Sequence, residues 1–100
     1  MLEIQAWKFD TEGLYLQMDL GEKKDYSIDW TDFLEGAALN LAEVVIGAGL
    51  TQVGPVVVNG NISKVVLSAA GAAGTYACNW KLTFGAGNLI EILKFRVLVT

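Results

Sequence analysis

The side chains that could carry chemistry are few. No histidine occurs among the 100 residues, which removes the usual general base, the commonest metal ligand and every Ser-His or Cys-His nucleophile arrangement. Cys78 is the only cysteine. It stands in "GTYACNW" with no neighbouring cation to hold a thiolate and no partner for an internal disulfide. Asp25, Asp29, Asp32 and Glu35 lie close together, and such acids can bind calcium or, in pairs, hydrolyse glycosides. Their spacing lacks the D-x-[DN]-x-[DN]-G pattern of a calcium loop, and a solvated acidic rim accounts for it. "GAGLTQVG" and "SAAGAAGTY" lack the G-x-x-x-x-G-K-[ST] pattern of a phosphate loop and read as turns. "NIS" at 61–63 fits a glycosylation acceptor, which has no meaning in a cytoplasmic product. Neither an enzyme nor a cofactor is expected.

Charge is distributed unevenly. Residues 1–35 hold nine acids and three lysines, whereas residues 36–100 hold only Glu43, Lys64, Lys81, Glu91, Lys94 and Arg96. An ordinary surface is charged more densely, and a small domain cannot hide so much neutral sequence internally, so part of the surface is expected to meet other protein. The net charge of -4 argues against nucleic acid. The low-charge run 36–58 contains Asn40, Glu43, Gln52 and Pro55, which are costly in hydrocarbon, so no membrane span is expected. Glu3, Lys8, Asp10 and Glu12 interrupt the first residues, and no secretory signal is read there.

The elements follow from alternation. "LEIQAWKFD" and "LYLQMDL" flank Thr11, Glu12 and Gly13 and read as a β-hairpin, with "GEKKD" after it as a charged hinge. This hairpin, residues 1–22, is expected to be an arm that docks on its own domain, a neighbouring subunit or a larger partner. In that role Trp7, Phe9, Leu14 and Leu16 are its anchors, and the remainder folds without it. In "DYSIDW", Tyr26, Ile28 and Trp30 share one face. "LNLAEVVI", residues 39–46, fits either a helical stripe or a strand; Val44, Val45, Ile46 and the glycines that follow favour the strand. Pro55 places Val56–Val58 at a sheet edge or strand start, and "SKVVLSA" is a further strand. In "TYACNWKLTF", Tyr76, Cys78, Trp80 and Leu82 share a face. "GAGN" turns the chain into "LIEILKFRVLV", where Leu93, Phe95, Val97 and Val99 do so. Short strands at regular spacing predict an all-β sandwich over residues 23–100. Its core is built from Tyr26, Ile28, Trp30, Tyr76, Cys78, Trp80, Phe95 and Val97.

The opening of "TYACNW" looks like strand F of an immunoglobulin sandwich, with a tyrosine two residues before a cysteine. Tyr76 is then expected to form a tyrosine corner, its hydroxyl bonded to backbone near "AGAAG", while Cys78 acts as a small buried hydrophobe.

"KDYSIDWTDFL", then "GLT", then "VVLSAAGAAGTYACNWKLTFGAGNLIEILKFRVLV" resemble a family of small structural proteins of tailed bacteriophages. The strongest matches are Tyr26–Trp30 and Gly71–Phe84. The resemblance implies an immunoglobulin-like, antiparallel sandwich and a non-catalytic fibre-to-tail adaptor or accessory virion protein. It implies other virion proteins (neck, tail, fibre or capsid) as partners in a multi-copy symmetric assembly, put together in the bacterial cytoplasm. Two departures stand out: Val44 occupies a position where the family carries tryptophan, and the final hairpin is more apolar. Capsid decoration is the second reading. A carbohydrate-binding sandwich is the third, and it is disfavoured because alternation points Trp30 and Trp80 inward.

Overall fold

The computed structural model describes residues 8–100. Trp7 therefore lies outside the described residues. The chain is an all-β sandwich of two packed sheets. Its elements are β1 (Lys8–Asp10), β2 (Gly13–Met18), β3 (Lys23–Asp29), α1 (Thr31–Leu34), β4 (Leu39–Val45), β5 (Thr51–Gln52), β6 (Val57–Asn59), β7 (Ile62–Ser68), β8 (Gly74–Phe84) and β9 (Leu89–Val99). One sheet runs β1-β2-β9-β8-β4. The other runs β3-β7-β5, with β6 also paired to β7.

Burial follows the period-two pattern. Leu14, Leu16 and Met18 from β2, Tyr26 and Ile28 from β3, Val65 and Leu67 from β7, Cys78, Trp80 and Leu82 from β8, and Phe95, Val97 and Val99 from β9 fill the core. Tyr76 is half-buried against it. Trp30 closes one end: its ring meets Trp80 edge-on at 6.5 Å between centroids, and its Nε1 donates to Ser63 Oγ at 2.8 Å. Ser63 has no exposure, so this bond satisfies two polar groups whose isolated burial would each cost about 1–3 kcal/mol. That is the structural role of "NIS": its serine is an internal acceptor on β7.

The first hairpin docks on its own domain, one of the three places expected for it, because β2 pairs with β9 through Tyr15↔Arg96, Leu16↔Val97, Gln17↔Leu98 and Met18↔Val99. This pairing is parallel, so the sandwich is not antiparallel throughout. Leu14 and Leu16, expected at an interface, point into the core, where β9 and the facing sheet cover them. "GEKKD" is not a hinge. Lys23–Asp25 already belong to β3, Gly21 N–H donates to Ala69 O at 2.8 Å, and Ala69 N–H donates to Glu22 O at 2.9 Å. The link between sheets is thereby fastened to β7. Of residues 39–46, open between helix and strand, Leu39–Val45 form β4, as the β-branched residues and following glycines favoured.

The tyrosine corner is present. Tyr76 Oη donates to the carbonyl of Ala72 in the small-residue corner. "GAG" at 47–49 does more than turn the chain, because it lies against the Tyr76 ring. A Cβ on Gly49 would stand 2.0 Å from Tyr76 Cζ, and one on Gly71 would stand 2.8 Å from Gly49 O. Only hydrogen fits at either place. Gly49→Ala is expected to cost about 1–3 kcal/mol by overpacking, lowering the melting temperature by several degrees. In a Tyr76→Ala background the same change is expected to cost almost nothing, since the two side chains compete for one space. Calorimetry of the four chains checks both. An unchanged penalty in the double variant would refute the cradle.

Candidate docking interface

Register places the residues of the outer face of β4, β8 and β9 in rows. Leu41 pairs with Thr83, and Thr83 with Ile90. Glu43 pairs with Lys81, and Lys81 with Ile92. Val45 pairs with Asn79, and Asn79 with Lys94. Directly opposed residues share a face, so Leu41, Val45, Ile90 and Ile92 point away from the core together. They are 49%, 62%, 58% and 49% exposed and form one apolar row rather than singly scattered side chains. Glu43 and Lys81 stand among them.

At the end of the β8–β9 hairpin the other face of the sheet also carries exposed apolar side chains. Leu89 pairs with Phe84, and the Phe84 ring meets Phe33 of α1 at 5.5 Å. Phe33 and Leu89 are both exposed. The hairpin is held to β4 by Asn40, whose Nδ2 donates to Gly85 O at 2.9 Å and to Asn88 Oδ1 at 3.2 Å. The apolar tip is thus mounted on fixed backbone.

At the opposite edge of the same sheet, Phe9 of β1 is 64% exposed. Its hairpin is clamped by Arg96, which donates to Glu12 Oε2 at 3.0 Å, Asp10 Oδ1 at 2.5 Å and Gly13 O at 3.3 Å and lies 5.3 Å from the centre of the Tyr15 ring. Desolvation raises the Asp10 carboxyl, but the Arg96 hydrogen bond and charge, with backbone donors, outweigh it and hold Asp10 below its ordinary 3.8. A lowered carboxylate contributes stability that is fully present above its unfolded value and is lost as pH falls through the folded one. The wild type is therefore expected to lose its advantage over Asp10→Asn as pH falls from about 4. Melting curves of both chains between neutral and strongly acidic pH check this; an equal gap at both ends would exclude the clamp.

The other sequence candidates do not assemble into a reaction centre. Asp29 Oδ1 accepts from Thr31 N–H at 3.0 Å and Thr31 Oγ1 at 2.5 Å, and these bonds lower its pKa. It organises the entry to α1. Among the described residues, no three of His, Cys, Asp and Glu lie together in a way that could hold a metal ion. Burial pushes the Cys78 thiol up, against a smaller opposing effect of a backbone hydrogen bond with Gly47, so Cys78 stays a neutral thiol in the core. Trp30 and Trp80 are 2% and 0% exposed and offer no stacking platform for sugars. The outer row Leu41, Val45, Ile90, Ile92 went unnoticed in the sequence. Its signal was available: apolar residues on both parities of "LIEILKF".

Residues 18–99 match the family model of the podophage GP4 fiber-tail adaptor protein gp77. The chain belongs to that family. The match takes in β3 to β9, hence most of the sandwich and the whole apolar outer face, but leaves β1 and nearly all of β2 outside it. No curated protein matches the chain. The adaptor family is a structural one of phage particles, and no helix among the described residues is long and apolar enough to cross a membrane.

Proposed function

We propose that this chain is a non-catalytic adaptor of a tailed-phage virion that joins fibre to tail through the outer face of β4, β8 and β9. The family match supports the role; the exposed Leu41, Val45, Ile90 and Ile92 supply the adhesive surface. Covering such side chains contributes roughly 1 kcal/mol each at about 25 cal/mol per Å². Lys81 and Glu43 orient the partner more than they bind it. Contacts of that size hold when repeated, so the adaptor works as one of several copies arranged symmetrically. Phe9 is a second anchor, and Trp7, outside the described residues, a third. Nucleic acid and membrane have no part in this reading.

An immunoglobulin-type sandwich is the frame we assign to it. The order β9-β8-β4 opposite β3-β7-β5 corresponds to strands G-F-C opposite B-E-D, and Tyr76 occupies the corner position. Copy number separates adaptor from capsid decoration: purified virions are expected to hold on the order of a dozen copies or fewer, as a tail-level ring allows. Hundreds of copies would overturn the adaptor in favour of decoration.

A further inference from the structure

The outer face of the second sheet mixes exposed apolar side chains with charges of both signs. Register sets Lys23 beside Ser68, Asp25 beside Val66, Ser27 beside Lys64 and Asp29 beside Ile62. On the other side of β7 it sets Val57 beside Lys64 and Asn59 beside Ile62. Val53 follows β5 on the same parity as Thr51, which opposes Ser68, and its N–H donates to Val66 O at 2.9 Å. Opposed residues share a face, and Tyr26, Ile28, Ser63 and Val65 of the alternate parity are the buried ones. Val53, Val57 and Ile62 therefore turn outward together, and all three are exposed. A groove of about 200 Å³ runs between Ser27, Val57, Asn59, Ile62 and Lys64. Lys23, Asp25 and Lys64 stand on this face, and among the described residues no ion pair engages any of them.

We infer that this face pairs with the same face of a second copy of the chain, giving an isologous dimer. Its charge pattern is self-complementary, as such a contact requires. A two-fold axis lying across the strands, midway between the row of Asp25 and the row of Ser27, exchanges the two ends of the face. Lys23 then lies over Asp29 of the second copy, and Val53 over Val57 of the second copy. The Lys64 stem runs along Val66 of the second copy and carries its ammonium beside Asp25 of the second copy. Each contact occurs twice. A partner whose surface held one sign of charge would oppose like charges somewhere, because Lys23 and Lys64 are interleaved with Asp25 and Asp29. Facing sheets stand about 10 Å apart, a gap that Val53 and Val57 fill from both sides. The patch covers four rows and three strands, roughly 20 by 10 Å between backbone axes, which is small beside an ordinary dimer interface. Association in solution is accordingly weak, with a dissociation constant on the order of 10–100 µM. It is reinforced where copies are already held on a particle. The inference goes beyond the adaptor reading: it uses the opposite side of the sandwich, leaves β4, β8 and β9 free, and stands whatever covers them.

Charge reversal in the full-length chain tests it by sedimentation equilibrium, where the wild type is expected to show a monomer–dimer equilibrium. Asp25→Lys alone and Lys64→Asp alone each oppose like charges twice and are expected to weaken the dimer at least about ten-fold. An equimolar mixture of the two variants opposes unlike charges at both places, and is expected to return to within about three-fold of the wild type. Both positions are exposed, and cooperative melting of each chain checks that it is folded. Val57→Lys touches neither charge and is expected to abolish the dimer, which supplies a second reading if a reversal melts non-cooperatively. A wild type still monomeric at about 500 µM, a dimer that survives the reversals or Val57→Lys, or a mixture no stronger than its components would each overturn the inference. So would a dimer abolished by Ile90→Lys with Ile92→Glu on the other sheet.

Discussion

A chain beginning at Lys23 will not fold. The sequence alone presents residues 1–22 as a docking arm without which the remainder still folds, but β2 places Leu14, Leu16 and Met18 in the core at 6%, 0% and 1% exposure. Removing a buried leucine or methionine costs about 2–5 kcal/mol each, so three together approach or exceed the whole stability of a small domain, about 5–15 kcal/mol. The deletion also strips β9 of its parallel partner and removes the bonds that Leu20 N–H makes to Thr100 O and Thr100 N–H makes to Met18 O. The expected product is an aggregated or unstructured chain, read by near-ultraviolet circular dichroism and thermal melting. Leu16→Ala provides the graded version: a fall of about 2–5 kcal/mol in denaturant unfolding. A cooperative, native-like transition in the truncated chain would show that β2 is only laid on the sandwich.

The second large effect concerns docking and leaves stability alone. Ile90→Lys with Ile92→Glu replaces two exposed side chains on β9, with the new carboxylate opposite Lys81. Surface changes of this kind alter folding by about 0.5 kcal/mol or less, so the melting temperature is expected to stay within a few degrees. If the outer face is the interface, a charged pair at its centre removes apolar contact and leaves charges to be desolvated. A loss of about 2 kcal/mol or more, roughly 30-fold in affinity per site, is expected, and multivalency magnifies it at the level of the particle. Copies retained per particle, measured by quantitative mass spectrometry, check the prediction. Wild-type retention by a folded double variant would move the interface elsewhere on the chain.

Much of the frame was legible because it depends on local alternation. Tyr26 and Ile28 of β3, Cys78, Trp80 and Leu82 of β8, and Phe95, Val97 and Val99 of β9 were assigned to their faces by period alone, and "GAGN" announced its turn. Tyr76 was legible from two features together, its place two residues before Cys78 and the adjacent small-residue corner. What escaped notice depends on partners distant in the chain. The alternation of Leu14, Leu16 and Met18 declares a buried face without saying what buries it, and the answer is β9, some eighty residues away. The glycines of "GAG" at 47–49 look like turn residues because nothing local reveals the Tyr76 ring that excludes a Cβ. The outer apolar row needs the registers of three strands at once, and its members are separated by charged and polar residues in sequence.

Tail or fibre protein is expected to cover the apolar outer face in the particle. Particles assembled without this chain and then incubated with the purified protein, with fibres counted by electron cryomicroscopy, test it most directly. Fibre-deficient particles whose fibres return with the wild-type chain and not with the Ile90→Lys, Ile92→Glu chain are the predicted result. Particles that carry a full set of fibres in its absence would contradict it.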